Sequence, residues 1–179
     1  STTREEINLG AVTLAKLARA YDVPTVVSTV GVDMGVNEGT IPELLAELEG
    51  IEEIDRTGVN SWEDEDFRAA IRATGRRKII MAGLWTEVCL TFPTLDMLRE
   101  GYEVCPVIDA VGGVSTVSHE SAITRMVQAG AHPTTSVALG SEFMRNWARE
   151  DADKCRAIIN DYFDRSRELH GKGGNITDR

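Results

Sequence analysis

Lys78-Ile79-Ile80-Met81-Ala82-Gly83-Leu84-Trp85-Thr86-Glu87-Val88-Cys89-Leu90-Thr91-Phe92-Pro93 is the stretch whose reading decides the fold. Its apolar, partly β-branched opening predicts a strand over 78–82. Gly83 and a short turn follow, and a helix is predicted from about Cys89 to Glu100, stopped by Gly101. Strand, turn and helix in that order place Cys89 at the carboxyl edge of a sheet, where open α/β folds bind ligands. At a helix start, exposed amides and the macrodipole favour thiolate over thiol and can stabilise an oxyanion. From position alone, Cys89 fits equally well as a nucleophile or as a small inert core residue.

Working outward, the alternation repeats. Ile7, Ala11, Leu14, Leu17, Ala18 and Tyr21 recur at helical spacing over 4–21, with Thr2 and Thr3 as cap candidates and Glu5 and Glu6 in the first turn. A strand follows Pro24 over 25–30, then a polar loop through Gly39, a helix over 42–48 and an extended piece over 51–55. Ser61 is the expected N-cap of a helix over 63–74 that stops at Gly75. Downstream, the pattern predicts a strand over 102–108, a helix over 118–129 capped at Ser118, a strand around 135–139 and helical sequence over 142–169. Strands apolar on both faces, alternating with helices, predict an α/β chain: a three-layer α/β/α arrangement around a mostly parallel, doubly wound sheet. Residues 1–170 read as a single domain, and 171–179 as a glycine-rich polar tail.

Nineteen basic against 29 acidic residues give a net charge of −10, which repels phosphate backbones and anionic lipid. No nucleic-acid or membrane partner is expected. No run reaches the roughly 18 apolar residues of a membrane span, and Ser1-Thr2-Thr3-Arg4-Glu5-Glu6 carries no signal-peptide core, so a cytoplasmic location is expected. Cys89, Cys105 and Cys155 are odd in number and far apart, without metal-ligand spacing. Cys105, in mid-strand, and Cys155, on the terminal helix, read as inert.

Several stretches carry a resemblance in order and spacing: Ile54 to Asp64, Gly83 to Pro93, Gly101 to Val104, Ile108 to Gly113, Ser118-His119-Glu120 and Arg125 to Ala131. Over about residues 4–150 the chain resembles the isochorismatase-like cysteine hydrolases, in particular their YcaC-like branch. The resemblance implies a triad of aspartate, basic residue and cysteine, with Cys89 at the cysteine and Arg56 at the basic position. It also implies a cis peptide at Leu84–Trp85 and backbone amides of Val88 and Cys89 directed at the substrate oxygen. Trp62, Trp85 and Phe92 are candidate pocket residues, although ordinary packing is the simpler account of each alone, and Asn60 and Glu87 are candidates for holding loop geometry. The implied reaction is hydrolysis of an amide-type C–N bond of a small molecule through a Cys89 thioester, without cofactor. The metal-binding Asp-x-His pattern of nicotinamidases is not visible, so no metal is expected. A homo-oligomer is implied, an octamer in that branch. The alternative is an oligomeric protein of the same fold that is catalytically silent or redox-sensing.

The family's aspartate lies on a central strand before the helix with which this sequence opens. Asp33, Asp55 and Asp64 do not match it, so the expectation is that about 25 to 30 residues of the natural N-terminus, with that strand, precede Ser1. His119, one residue after Ser118, reads as structural rather than as a base, and Asp109 as a turn-former.

Overall fold

Thr3 opens the first helix with a capping box, its hydroxyl accepting from the Glu6 amide at 3.2 Å while the Glu6 carboxylate accepts from the Thr3 amide. The computed structural model describes residues 2–171. In chain order the elements are α1 (Arg4–Ala20), β1 (Val27–Val30), α2 (Pro42–Leu45), β2 (Glu53–Arg56), a 3₁₀ turn (Ser61–Glu63), α3 (Glu65–Ala73) and β3 (Lys78–Leu84). A π-helical turn (Thr86–Leu90), α4 (Thr91–Arg99), β4 (Glu103–Gly112), α5 (Thr116–Gln128), α6 (Ser136–Met144) and α7 (Ala152–His170) complete the order.

All strand pairing is parallel, as an α/β chain requires. β1 lies beside β2, from Val27 opposite Glu53 to Val30 opposite Arg56. β3 lies beside β4, from Lys78 opposite Glu103 to Leu84 opposite Gly112, with a register break between Met81 and Gly83. That break lets β4 carry extra residues, among them Asp109, before it rejoins β3.

Helices cover the strands on both faces. On one side α1 crosses β4, and Gly10 permits the approach because a Cβ there would run into the Asp109 carbonyl. α6 and α7 pack with α1 around Leu17, Met144, Ala152 and Cys155. On the other side Trp62, Phe67, Ile71, Met97, Tyr102 and Val104 form one core cluster, and Leu90, Val111, Met126 and Ala131 another. Burial of this size is the main stabilising term.

Three sequence expectations need correction. The strand expected around 135–139 is the start of α6. Only Thr134 pairs with β4, opposite Val107, while the Asp109 carboxylate accepts from the Ser136 amide at 2.9 Å and from its hydroxyl at 3.0 Å. Side-chain capping overrides the β-branched composition there. The single helical stretch over 142–169 is broken, with Arg145 at φ 59° closing α6 and α7 starting at Ala152. Finally, the caps lie elsewhere than Ser61 and Ser118. Asn60 caps the 3₁₀ turn, Asp64 caps α3 through the Phe67 amide at 2.9 Å, and Ser115 caps α5 through the Ser118 amide at 3.1 Å. Beyond Gly171 the expected tail lies outside the described residues.

Candidate active site

β3 delivers the chain to the Thr86–Leu90 turn, and the turn is wide for a local reason. Pro93 has no amide hydrogen to give the Cys89 carbonyl four residues back, and its ring crowds that carbonyl. The turn opens into an i to i+5 pattern in which the Leu90 amide donates to the Trp85 carbonyl at 3.2 Å. Thr91 closes it from the helix side, its hydroxyl donating to the Thr86 carbonyl at 2.6 Å, and Thr94 donates to the Leu90 carbonyl at 2.7 Å. The Leu84–Trp85 peptide is cis. Cys89 emerges half-buried, whereas Leu90 beneath it is fully buried.

One part of the oxyanion expectation changes. The Val88 amide donates to the Trp85 carbonyl at 3.1 Å, so it is engaged within the turn rather than offered to a ligand. The Trp85 carbonyl that opens the turn accepts from both Val88, three residues on, and Leu90, five residues on.

Glu87 and Thr86 tie the turn to the β4–α5 junction. The Val114 amide donates to Glu87 Oε1 at 3.1 Å. The fully buried Thr86 hydroxyl lies 2.9 Å from His119 Nδ1. Asn60, expected to hold loop geometry, is buried: its Oδ1 accepts from the Trp62 amide at 3.1 Å and its Nδ2 donates to Asp96 at 2.8 Å, joining the 3₁₀ turn to α4.

Arg56 ends β2, on the other strand pair. It is only 5 % exposed, its Nε donates to the Ser28 hydroxyl at 3.2 Å and its Nη1 to the Gly58 carbonyl. Among the described residues no carboxylate lies within salt-bridge distance of it and no hydrogen bond joins it to Cys89. Its neighbour Asp55 accepts from Thr29 at 2.7 Å, from the Val32 amide at 3.2 Å and from the Asp33 amide at 3.0 Å. Those donors, the Asp33 amide foremost, hold the Asp55 carboxyl below the usual carboxylate range.

A model of the isochorismatase domain matches residues 1–138. The chain belongs to the isochorismatase family. It is 36 % identical over 157 residues to the probable hydrolase YcaC of Escherichia coli, covering 87 % of this chain and 74 % of that one. Among solved structures it is similar to YcaC from Pseudomonas aeruginosa with hexane-2,5-diol and covalent acrylamide, at TM-score 0.85 and 34 % identity over 94 % of this chain and 85 % of that one. It is equally similar to E. coli YcaC, described as an octameric hydrolase of unknown specificity, at TM-score 0.84 and 33 % identity over 94 % and 84 % of the two chains.

In this isochorismatase-family chain the remaining candidates divide between edge and core. Trp85 is 47 % exposed on the thiol edge, and Phe92 is half-buried on α4. Trp62 takes the packing role, not the pocket one. It is 3 % exposed, packs edge-on against Tyr102 at 5.3 Å and donates Nε1–H to Glu100 at 2.8 Å, so it is a core residue rather than a pocket wall. The other thiols are buried. Burial pushes the Cys105 thiol up, and likewise that of Cys155, whose Sγ lies 3.1 Å from the Gly140 carbonyl. Among the described residues no group of three or more His, Cys, Asp or Glu could hold a metal, and no helix is long and apolar enough to cross a membrane. Sequence reasoning missed Thr86 as a partner of His119. The two lie 33 positions apart, and no local pattern announces a bond formed only when α5 packs on the thiol turn.

Proposed function

We propose that this isochorismatase-family hydrolase cleaves the amide-type C–N bond of a small molecule, with Cys89 as nucleophile. The observation that carries the reading is the contrast among the thiols: Cys89 alone sits half-buried on a turn at the carboxyl end of a parallel strand, while Cys105 and Cys155 are buried. The thiolate attacks the acyl carbon, the C–N bond breaks, and the amine leaves with the proton given up by the thiol. Water then cleaves the thioester, releasing the acid and regenerating the thiol. The Cys89 amide is the oxyanion donor, since the Val88 amide is engaged. Arg56 contributes a fixed positive charge and carries no proton, because a guanidinium does not deprotonate in proteins. The covalent acrylamide in the P. aeruginosa relative supports the reading, as acrylamide is an electrophile that a nucleophile captures. The octameric description of E. coli YcaC supports a homo-oligomer here too.

Brief treatment with iodoacetamide, followed by peptide mass spectrometry, tests the nucleophile. Selective alkylation of Cys89 is expected. Equal or absent labelling of all three cysteines overturns it and favours a catalytically silent or redox-sensing protein of the same fold. A panel of small amides and nitriles then identifies the acyl class from the mass added at Cys89.

A further inference from the structure

The thiol turn is tied to the rest of the fold by one of its own side chains that the chemistry itself does not use. Glu87 lies two residues before Cys89 and turns back from the turn toward the β4–α5 junction, where Oε1 accepts from the Val114 amide at 3.1 Å. Its Oε2 is buried and meets no donor. A buried acceptor without a donor is costly, so the carboxylate is kept there by what the rest of it holds. Gly113 shows how tightly it fits: a Cβ at that position would stand 2.8 Å from Glu87 Oε2 and 3.0 Å from both Cβ and the backbone nitrogen of His119. Glycine is required by the carboxylate and by the first turn of α5 together. That turn is itself fixed, with the His119 amide donating to the Ser115 carbonyl at 2.9 Å and the His119 ring meeting the Thr86 hydroxyl. Two consecutive residues of the thiol turn, Thr86 and Glu87, are therefore anchored to one junction, 33 and 27 positions downstream respectively.

We propose that Glu87 is a positioning residue for Cys89: its carboxylate, backed by the Thr86–His119 pair, clamps the nucleophile's turn to the β4–α5 junction over Gly113. The proposal rests on the reading of Cys89 as the nucleophile, because a clamp on an inert thiol has no function to serve. It leaves the reacting atoms alone and acts by fixing where the Cys89 sulfur and amide stand, and small displacements of a nucleophile weaken catalysis steeply.

Hydrogen exchange and alkylation on the full chain test it together. In Glu87→Ala, amide exchange is expected to rise about tenfold in 86–90 and in 113–119, with α3 and α7 unchanged. Cys89 alkylation is expected to slow by about tenfold. Glu87→Gln keeps an acceptor for the Val114 amide and is expected to recover most of both. Gly113→Ala, which drives a methyl against the carboxylate, is expected to reproduce the alanine variant. Wild-type exchange in both segments of Glu87→Ala overturns the proposal, and so does a Glu87→Gln protein as loose as Glu87→Ala. Should Glu87→Ala not fold, Gly113→Ala and Glu87→Gln decide by the same two measurements. Should wild-type Cys89 prove no more reactive than Cys105, the hydrolase reading fails, while the exchange data still judge the clamp.

Discussion

The two strand pairs hold the two halves of the proposed site in different ways. On β3–β4 the nucleophile sits in a run of consecutive residues whose shape follows from its own sequence, through Pro93, Thr91 and Thr94, and is tied down at Glu87 and Thr86. On β1–β2 the cation owes its position to one distant partner, Ser28 on the neighbouring strand, and one close by, the Gly58 carbonyl two residues on. The turn is closed by bonds among its own neighbours and tied down at one junction, whereas a buried charge depends on each of its few bonds. The nucleophile and the cation can therefore be disturbed separately.

The largest effect expected from breaking the thiol side alone is that of Cys89→Ala, which should abolish alkylation at this position and lower hydrolysis by about 10³-fold or more. Cys89 is half-buried, so the midpoint of thermal unfolding should change little. Retained turnover with any amide would remove the thiol from the mechanism. On the cation side, Arg56→Met should slow Cys89 alkylation about tenfold. It should also cost about 1–3 kcal/mol in denaturant unfolding, because the Gly58 carbonyl and Ser28 hydroxyl lose their donor. Unchanged alkylation in a folded Arg56→Met protein would show that the cation does not act on the thiol.

Smaller effects sharpen the comparison at its margins. Trp62→Phe should lower stability by about 1–2 kcal/mol, since it removes the bond to Glu100 and shrinks a buried ring. The Glu100 carboxyl, held below its usual range chiefly by that bond, should titrate higher, as NMR would show. The smallest effect belongs to Asp55. Its folded pKa is lowered, so its contribution is present above the ordinary carboxylate range and is lost as pH falls through the lowered value. Amides of Val32 and Asp33 should exchange faster in that acid window, and Asp55→Asn should show the same loosening at neutral pH.

The thiol region was the more legible in sequence because its information is contiguous: strand, glycine, turn, cysteine and proline lie within 78–93. The failures lie where a local pattern competes with a distant partner. Thr135 to Leu139 reads as strand by composition, but the Asp109 carboxylate, 27 residues upstream of Ser136, makes it a helix start. Trp62 reads as pocket or packing in the sequence, and Tyr102 and Glu100 draw it into the core. The Val88 amide reads as an oxyanion donor, but it is bonded to the Trp85 carbonyl three residues back.

By itself the sequence determined the α/β class and the strand-to-helix placement of Cys89, because apolar patterning and glycine stops are properties of short segments, while Arg56 entered as the basic candidate only through the family resemblance. Only the tertiary structure decided which groups meet: Thr86 with His119, Glu87 with Val114 over Gly113, and Arg56 with Ser28. Hydrogen bonds between segments far apart in the chain depend on how whole strands and helices pack, and that geometry is written in no single stretch of residues.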